Sequence, residues 1–163
     1  RVVKKAIFLT GSMGSGKSTI LERTDFIEQV GYVRRCTDYD ILGVSQCGSD
    51  RLSNYKKVDV LKSLEAYSGE KLLIAGEYYS KNVDLQRFKD LGFKIYVILL
   101  HVDRDIIYSR LMHRGGGRWN ELTYKNNMNA RVSFFKAHKG NKKIMKNNTL
   151  EQQAQIIQVI KDI

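Results

Sequence analysis

Eight residues near the amino end carry the clearest chemistry in this 163-residue chain. Gly11-Ser12-Met13-Gly14-Ser15-Gly16-Lys17-Ser18 fits GxxxxGK[ST], a pattern that binds phosphate. Glycines at 11, 14 and 16 let the backbone curl, so that successive N–H groups converge on phosphate oxygens. Lys17 is then placed for the β- and γ-phosphates of a nucleoside triphosphate, and Thr19 continues the same turn. The Ser18 hydroxyl is placed for Mg²⁺. From average residue usage, a chance match in a chain this long is roughly half a per cent, so the pattern is read as a ligand site rather than a Gly-rich turn.

Two further groups have the right chemistry for phosphoryl transfer. Asp38 and Asp40 flank Tyr39 just beyond a predicted strand. In an open parallel sheet the carboxyl ends of strands line the ligand crevice, and a carboxylate there accepts the proton of an attacking hydroxyl. The alternative is that either Asp merely caps the next turn; Asp38 is the preferred base. Arg110 and Arg114 lie four apart on one helix face, and Arg118 follows Gly115-Gly116-Gly117. Guanidinium groups suit phosphoryl oxygens, so residues 114–120 are expected to form an Arg-bearing lid, against the alternative of a solvated basic face. Glu77 either orders metal-bound water or is structural. His101, His113 and His138 lack ligand spacing for zinc, and Cys36 and Cys47 form neither a disulfide framework nor a metal motif.

The elements that must position these groups alternate. Ala6–Leu9 is a short apolar run ending at Gly11, as a buried parallel strand does. Ile20, Leu21, Phe26, Ile27 and Val30 predict a helix from Lys17 to Val30, stopped by Gly31. Strands are expected at Tyr32–Cys36, Lys71–Ala75 and Phe93–Leu100, with a last one at Lys143–Met145. Helices are expected over Leu52–Tyr67, Leu85–Leu91, Asp103–Arg114, Glu121–His138 and, opened by the capping box Thr149-Leu150-Glu151-Gln152, to about Asp162. This order predicts one α/β domain over residues 1–163, of the three-layer P-loop NTPase type, with a parallel sheet of about five strands covered by helices on both faces.

Charge is the compositional anomaly. Lys and Arg number 28 against 17 Asp and Glu, a net charge of +11. Between Arg110 and Lys146 there are ten cations and one acid, Glu121, so that segment carries +9. The excess points to a polyanionic partner, whether phosphorylated small molecules, nucleic acid or a membrane surface, against the alternative of solubility by positive charge, with Trp119 and Tyr124 available to stack on bases. The longest apolar-rich run, Phe93–Val102, is about half of a membrane span, and no membrane or obligate protein partner is expected. Two cysteines suit a reducing cytoplasm, the host's if the protein is viral.

The pattern resembles the small P-loop kinases and, within them, the kinase domain of phage-type polynucleotide kinases, over most of the first 115 residues. The resemblance rests on Gly11–Ser18, the Gly31-Tyr32 pair, Asp38, and the Arg110-x-x-x-Arg114-Gly115 ending of a helix. It implies that Asp38 is the base toward the acceptor hydroxyl and that Arg114 clamps the transferring phosphoryl group. Three departures stand out: Gly76 occupies the place of an Asp expected near the end of the third strand, the Arg expected just after Asp38 is lacking, with Arg34 or Arg35 in its stead, and no phosphatase-type domain is expected.

The expected function is transfer of the γ-phosphate of ATP, with Mg²⁺, to a hydroxyl on nucleic acid. DNA is favoured, either at a 5′ end or on a base hydroxymethyl group such as 5-hydroxymethyluracil. Lys17, Asp38 and Arg114 are the expected catalytic residues. Residues 11–19, Arg110 and Arg114 are expected to bind ATP. Arg34, Arg35, Tyr39, Asp40, Glu77 and Arg118 are expected to bind the acceptor. The alternatives are a kinase of a free nucleotide or small metabolite, and a non-catalytic nucleotide-gated module.

Overall fold

A computed structural model describes residues 3–44, 48–76, 78–113 and 120–163. Its centre is β1 (Lys5–Gly11), whose apolar residues alternate between the two faces of a sheet. β5 (Lys71–Ala75) and β6 (Lys94–His101) flank it in parallel, with Ala6 opposite both Leu72 and Ile95. β4 (Asp40–Leu42) adds beside β5 and β7 (Asn141–Lys146) beside β6, again in parallel. β2 (Phe26–Val30) and β3 (Val33–Cys36) form an antiparallel hairpin on the β4 edge, completing the order β2-β3-β4-β5-β1-β6-β7.

Helices cover both faces. Ala6, Phe8, Leu72 and Ile74 pack with residues of α2 (Lys57–Glu65), α3 (Asn82–Asp90) and α5 (Glu121–Ala137). Phe8 sits 5.1 Å from Phe88 and 5.5 Å from Phe134, ring centre to ring centre. Ile7, Leu9, Leu73 and Ala75 pack with α1 (Lys17–Leu21) and α6 (Leu150–Asp162). α4 (Arg104–His113) follows β6 and buries Ile107. This is the expected three-layer α/β architecture, with seven strands rather than five. No helix among the described residues is long and apolar enough to cross a membrane.

The largest local departure follows the phosphate-binding pattern. The helix expected to run from Lys17 to Val30 ends at Leu21, and residues 26–30 are a strand. Phe26, Ile27 and Val30 fit a helical period, but aromatic and β-branched residues also favour strands. The turn decides between the two. Val30 pairs with Val33, leaving Gly31-Tyr32 as a two-residue loop with Gly31 at φ 59°. Gly first in such a loop gives the hairpin turn that matches strand twist. Elsewhere the expected helix over Leu52–Tyr67 begins as a 3₁₀ turn, Asp50–Asn54, before α2. The capping box holds on one side, where Thr149 Oγ1 accepts from Gln152 N at 3.1 Å, while Gln152 Oε1 accepts from Asn148 N.

Candidate active site

β1 delivers Gly11 to the carboxyl edge of the sheet, where the phosphate-binding loop begins. Gly14 and Gly16 adopt φ 75° and 91°, which a side chain disfavours. Gly11 is required for space, since a Cβ there would lie 2.7 Å from Ser15 Oγ. Lys17 arches over the loop, donating from Nζ to Gly11 O at 2.7 Å and Ser12 O at 3.1 Å. The loop borders a cavity of about 540 Å³ lined by Met13–Ser18, Asp50, Ser53, Gly76, Tyr78 and Leu111. Ser12 and Ser15 are buried, and Ser18 and Thr19 are exposed.

Three side chains from distant elements hold this loop, and two of them carried no signal in the sequence. Arg110 on α4 donates to Gly14 O at 3.0 Å and to Asn147 O at 2.8 Å. It thus braces the loop's backbone from α4. Asn147, just after β7, donates from Nδ2 to Ser15 O at 2.7 Å and is buried. Asn127 on α5 accepts from Met13 N at 3.1 Å. A polar side chain that packs against a loop backbone has no fixed spacing from it, so only the fold brings these residues to light.

The expected base is not at this site. β4 begins at Asp40, level with Leu72 on β5 and hence with Ala6 on β1. Five residues of strand separate that level from Gly11, about 16 Å at the usual rise. Asp38 therefore lies at the amino edge of the parallel strands, where it pairs with Lys161 of α6 at 3.5 Å. The reason is the hairpin. The expected second strand, Val33–Cys36, is its returning arm and runs antiparallel to β4, so the residues after it sit at the wrong edge.

The acceptor residues expected around Asp38 go with it. Asp40 is buried and accepts from Tyr67 Oη at 2.6 Å and Cys36 N at 3.2 Å, a structural carboxylate. Burial and this bond push the Tyr67 phenol far above its usual range. Tyr39 is also buried, donating to Ile20 O at 3.1 Å, and burial pushes its phenol up to about 12. Arg34 stacks over the Phe26 ring at 4.4 Å, and Arg35 lines a separate cavity with Val30 and Lys62. Neither lines the phosphate cavity. Glu77, Arg114 and Arg118, with all of the expected lid except Asn120, lie outside the described residues.

A different carboxylate lies at the carboxyl edge. Asp50 opens the 3₁₀ turn that follows β4, and it lines the phosphate cavity. The preceding Ser49 is tied to the end of β5 through N–H and Oγ, both donating to Ala75 O at 2.9 and 2.8 Å. Gly76 explains one departure from the kinase pattern. A Cβ at Gly76 would lie 2.3 Å from Asp50 Oδ1, so the strand-end position is vacated for an acid supplied by the neighbouring loop. The rule that carboxyl ends of strands line the crevice pointed to the right edge; it was applied to a strand of the wrong direction.

No group of three His, Cys, Asp or Glu side chains gathers to cage a metal among the described residues. Mg²⁺ in phosphoryl-transfer sites is held by few protein oxygens, the phosphates and water supplying the rest, and Ser18 Oγ on the cavity lining is such a donor.

Neither a protein-family profile nor a curated protein sequence matches the chain. Among solved structures, a gluconokinase from Sinorhizobium meliloti 1021 is similar, with a TM-score of 0.52 and 14% identity, over 99% of this chain and 92% of that one. At that identity the likeness is one of fold: the chain has a P-loop NTPase-like α/β fold.

Proposed function

We propose that this chain is an ATP-dependent phosphotransferase that moves the γ-phosphate to a hydroxyl of a small molecule. The observation that carries the reading is that the phosphate-binding loop and the Asp50 carboxylate line one cavity. The loop's N–H groups cradle the phosphates, and Lys17 exchanges its loop carbonyls for phosphate oxygens. Asp50 accepts the acceptor's hydroxyl proton as its oxygen bonds to the γ-phosphorus. The bond from that phosphorus to the β,γ-bridging oxygen breaks, and ADP departs. Ser18 would hold Mg²⁺, which would supply neutralisation of the charge on the phosphate oxygens. Arg110 and Asn147 keep the loop's shape, so binding energy is not spent ordering it.

A small acceptor is favoured over nucleic acid for two reasons. A gluconokinase shares the fold along nearly its whole length. The surplus charge also has a structural use. Lys142, Lys143 and Lys146 lie on β7, one of the two edge strands, which pairs with β6 on one side. Lysines on an edge strand prevent another chain from adding to the sheet. Lys142 is further engaged over the Phe135 ring at 4.9 Å. Incubation with γ-labelled ATP and a panel of small alcohols, DNA and RNA tests the reading: label enters a small molecule and not polynucleotide.

A further inference from the structure

A second cavity of about 700 Å³ lies between α2 and α3, beside the phosphate cavity. Tyr78 lines both, so the two spaces share a wall. The larger one has an apolar floor, with Leu64 and Phe88 fully buried beneath it and Val58 and Leu61 exposed at its side. Its charged lining is Lys57, Lys81 and Arg87 against one acid, Asp84. That acid is already engaged: it is buried, accepts from Lys81 N at 3.0 Å and pairs with Arg87 at 3.5 Å. The groove is therefore apolar in body and cationic in balance. Tyr78, which lines both cavities, has a buried Oη with no hydrogen-bond partner among the described residues, which leaves a donor and acceptor to be satisfied.

We propose that this groove is the acceptor subsite of the phosphotransferase and that it takes an anionic alcohol with an apolar or aromatic body, not a polyol; the assignment rests on the function proposed above. A polyol laid on Leu61, Leu64 and Phe88 loses water hydrogen bonds and finds no partners on the floor. A flat apolar body removes the floor from water, and its negative group meets Lys57 and Lys81, Arg87 being paired with Asp84. Tyr78 Oη hydrogen-bonds the ligand where the groove meets the phosphate cavity, which directs its hydroxyl toward Asp50 and the loop.

The test follows amide resonances of the full ¹⁵N-labelled chain while three probes are added separately: ATP with Mg²⁺, thymidine 5′-monophosphate, and gluconate. Thymidine 5′-monophosphate carries an aromatic ring, a phosphate and a free hydroxyl; gluconate is an anionic polyol. The proposal predicts that the nucleotide monophosphate moves amides of residues 57–64 and 81–91 and binds at least tenfold more tightly than gluconate. Leu61→Glu, on an exposed helix face, weakens it tenfold or more while ATP shifts at residues 11–18 persist, and Tyr78→Phe weakens it several-fold. Monophosphate shifts confined to residues 11–18, gluconate binding as tightly, or no effect of Leu61→Glu overturns the assignment. Concentration-dependent shifts on α2 and α3 without any probe mark contact with a second copy and overturn it too. Loss of the ATP shifts at 11–18 in the unaltered protein overturns instead the phosphotransferase reading beneath it.

Discussion

Gly16 and Asn147 are 131 positions apart, yet the structure couples them tightly enough to be measured. Gly16 adopts φ 91°, and a Cβ added there would lie 2.5 Å from Asn147 Nδ2. That same Nδ2 donates to Ser15 O at 2.7 Å. Gly16→Ala therefore carries two costs. The backbone conformation costs roughly 1–2 kcal/mol for an L side chain. Displacing Asn147 leaves a buried carbonyl without its donor, about 1–3 kcal/mol. Asn147→Ala alone incurs the second cost but not the first. In the double variant the clash is gone and the hydrogen bond is lost only once, so the two losses overlap by about 1–3 kcal/mol. Equilibrium urea unfolding of the four proteins measures this cycle, and calorimetric titration with ATP and Mg²⁺ shows whether loop order and nucleotide affinity fall together. Additivity of the two substitutions to within about 0.5 kcal/mol refutes the claim that Asn147 holds the loop at Gly16.

Other consequences can be checked separately. Asp40→Ala leaves Tyr67 Oη and Cys36 N without their acceptor and lowers stability by about 2–4 kcal/mol, while phosphotransfer per folded molecule is unchanged; urea unfolding and an activity assay separate the two. His138 is buried, and burial with the nearby Lys89 pushes its pKa below the usual 6.5. The unfolded chain thus binds that proton more readily, so this stability is fully present above about pH 6.5 and is lost on acidification; His138→Leu flattens Tm against pH across that range. Replacing Lys142, Lys143 and Lys146 with Val raises light scattering on heating, because the β7 edge is then free to pair with other chains.

The phosphate-binding loop, the buried strands and most helices were legible because each rests on a local signal. Gly11–Ser18 is a spacing of residue types, and Ala6–Leu9, Lys71–Ala75 and Phe93–Leu100 are apolar runs of strand length. Residues 17–30 were ambiguous in kind. Their apolar positions satisfy a helical period, and only the Gly31-Tyr32 turn, read as a hairpin loop, favours β2 and β3. That one choice moved the expected base. With β3 taken for a parallel strand, Asp38 stood at its carboxyl end; with β3 antiparallel, the parallel neighbour of β5 is the three-residue β4, and the acid beyond it is Asp50. Three residues make too short a run to stand out. The braces Arg110, Asn127 and Asn147 depend on long-range packing, so only Arg110, beside a second arginine and a glycine triplet, drew notice at all.

The central claim is that Asp50, not Asp38, serves the phosphate-binding loop. Asp50→Asn and Asp38→Asn differ by one atom type each from the parent, and both side chains are at least partly exposed, so both variants fold. The direct measurement is the rate of transfer of the γ-phosphate from labelled ATP to a small alcohol by the two variants and the parent. The account predicts that Asp50→Asn slows transfer by about 10²–10⁴-fold, the usual worth of a general base, while Asp38→Asn stays within about twofold of the parent. Full activity in Asp50→Asn, with the loss in Asp38→Asn, contradicts it.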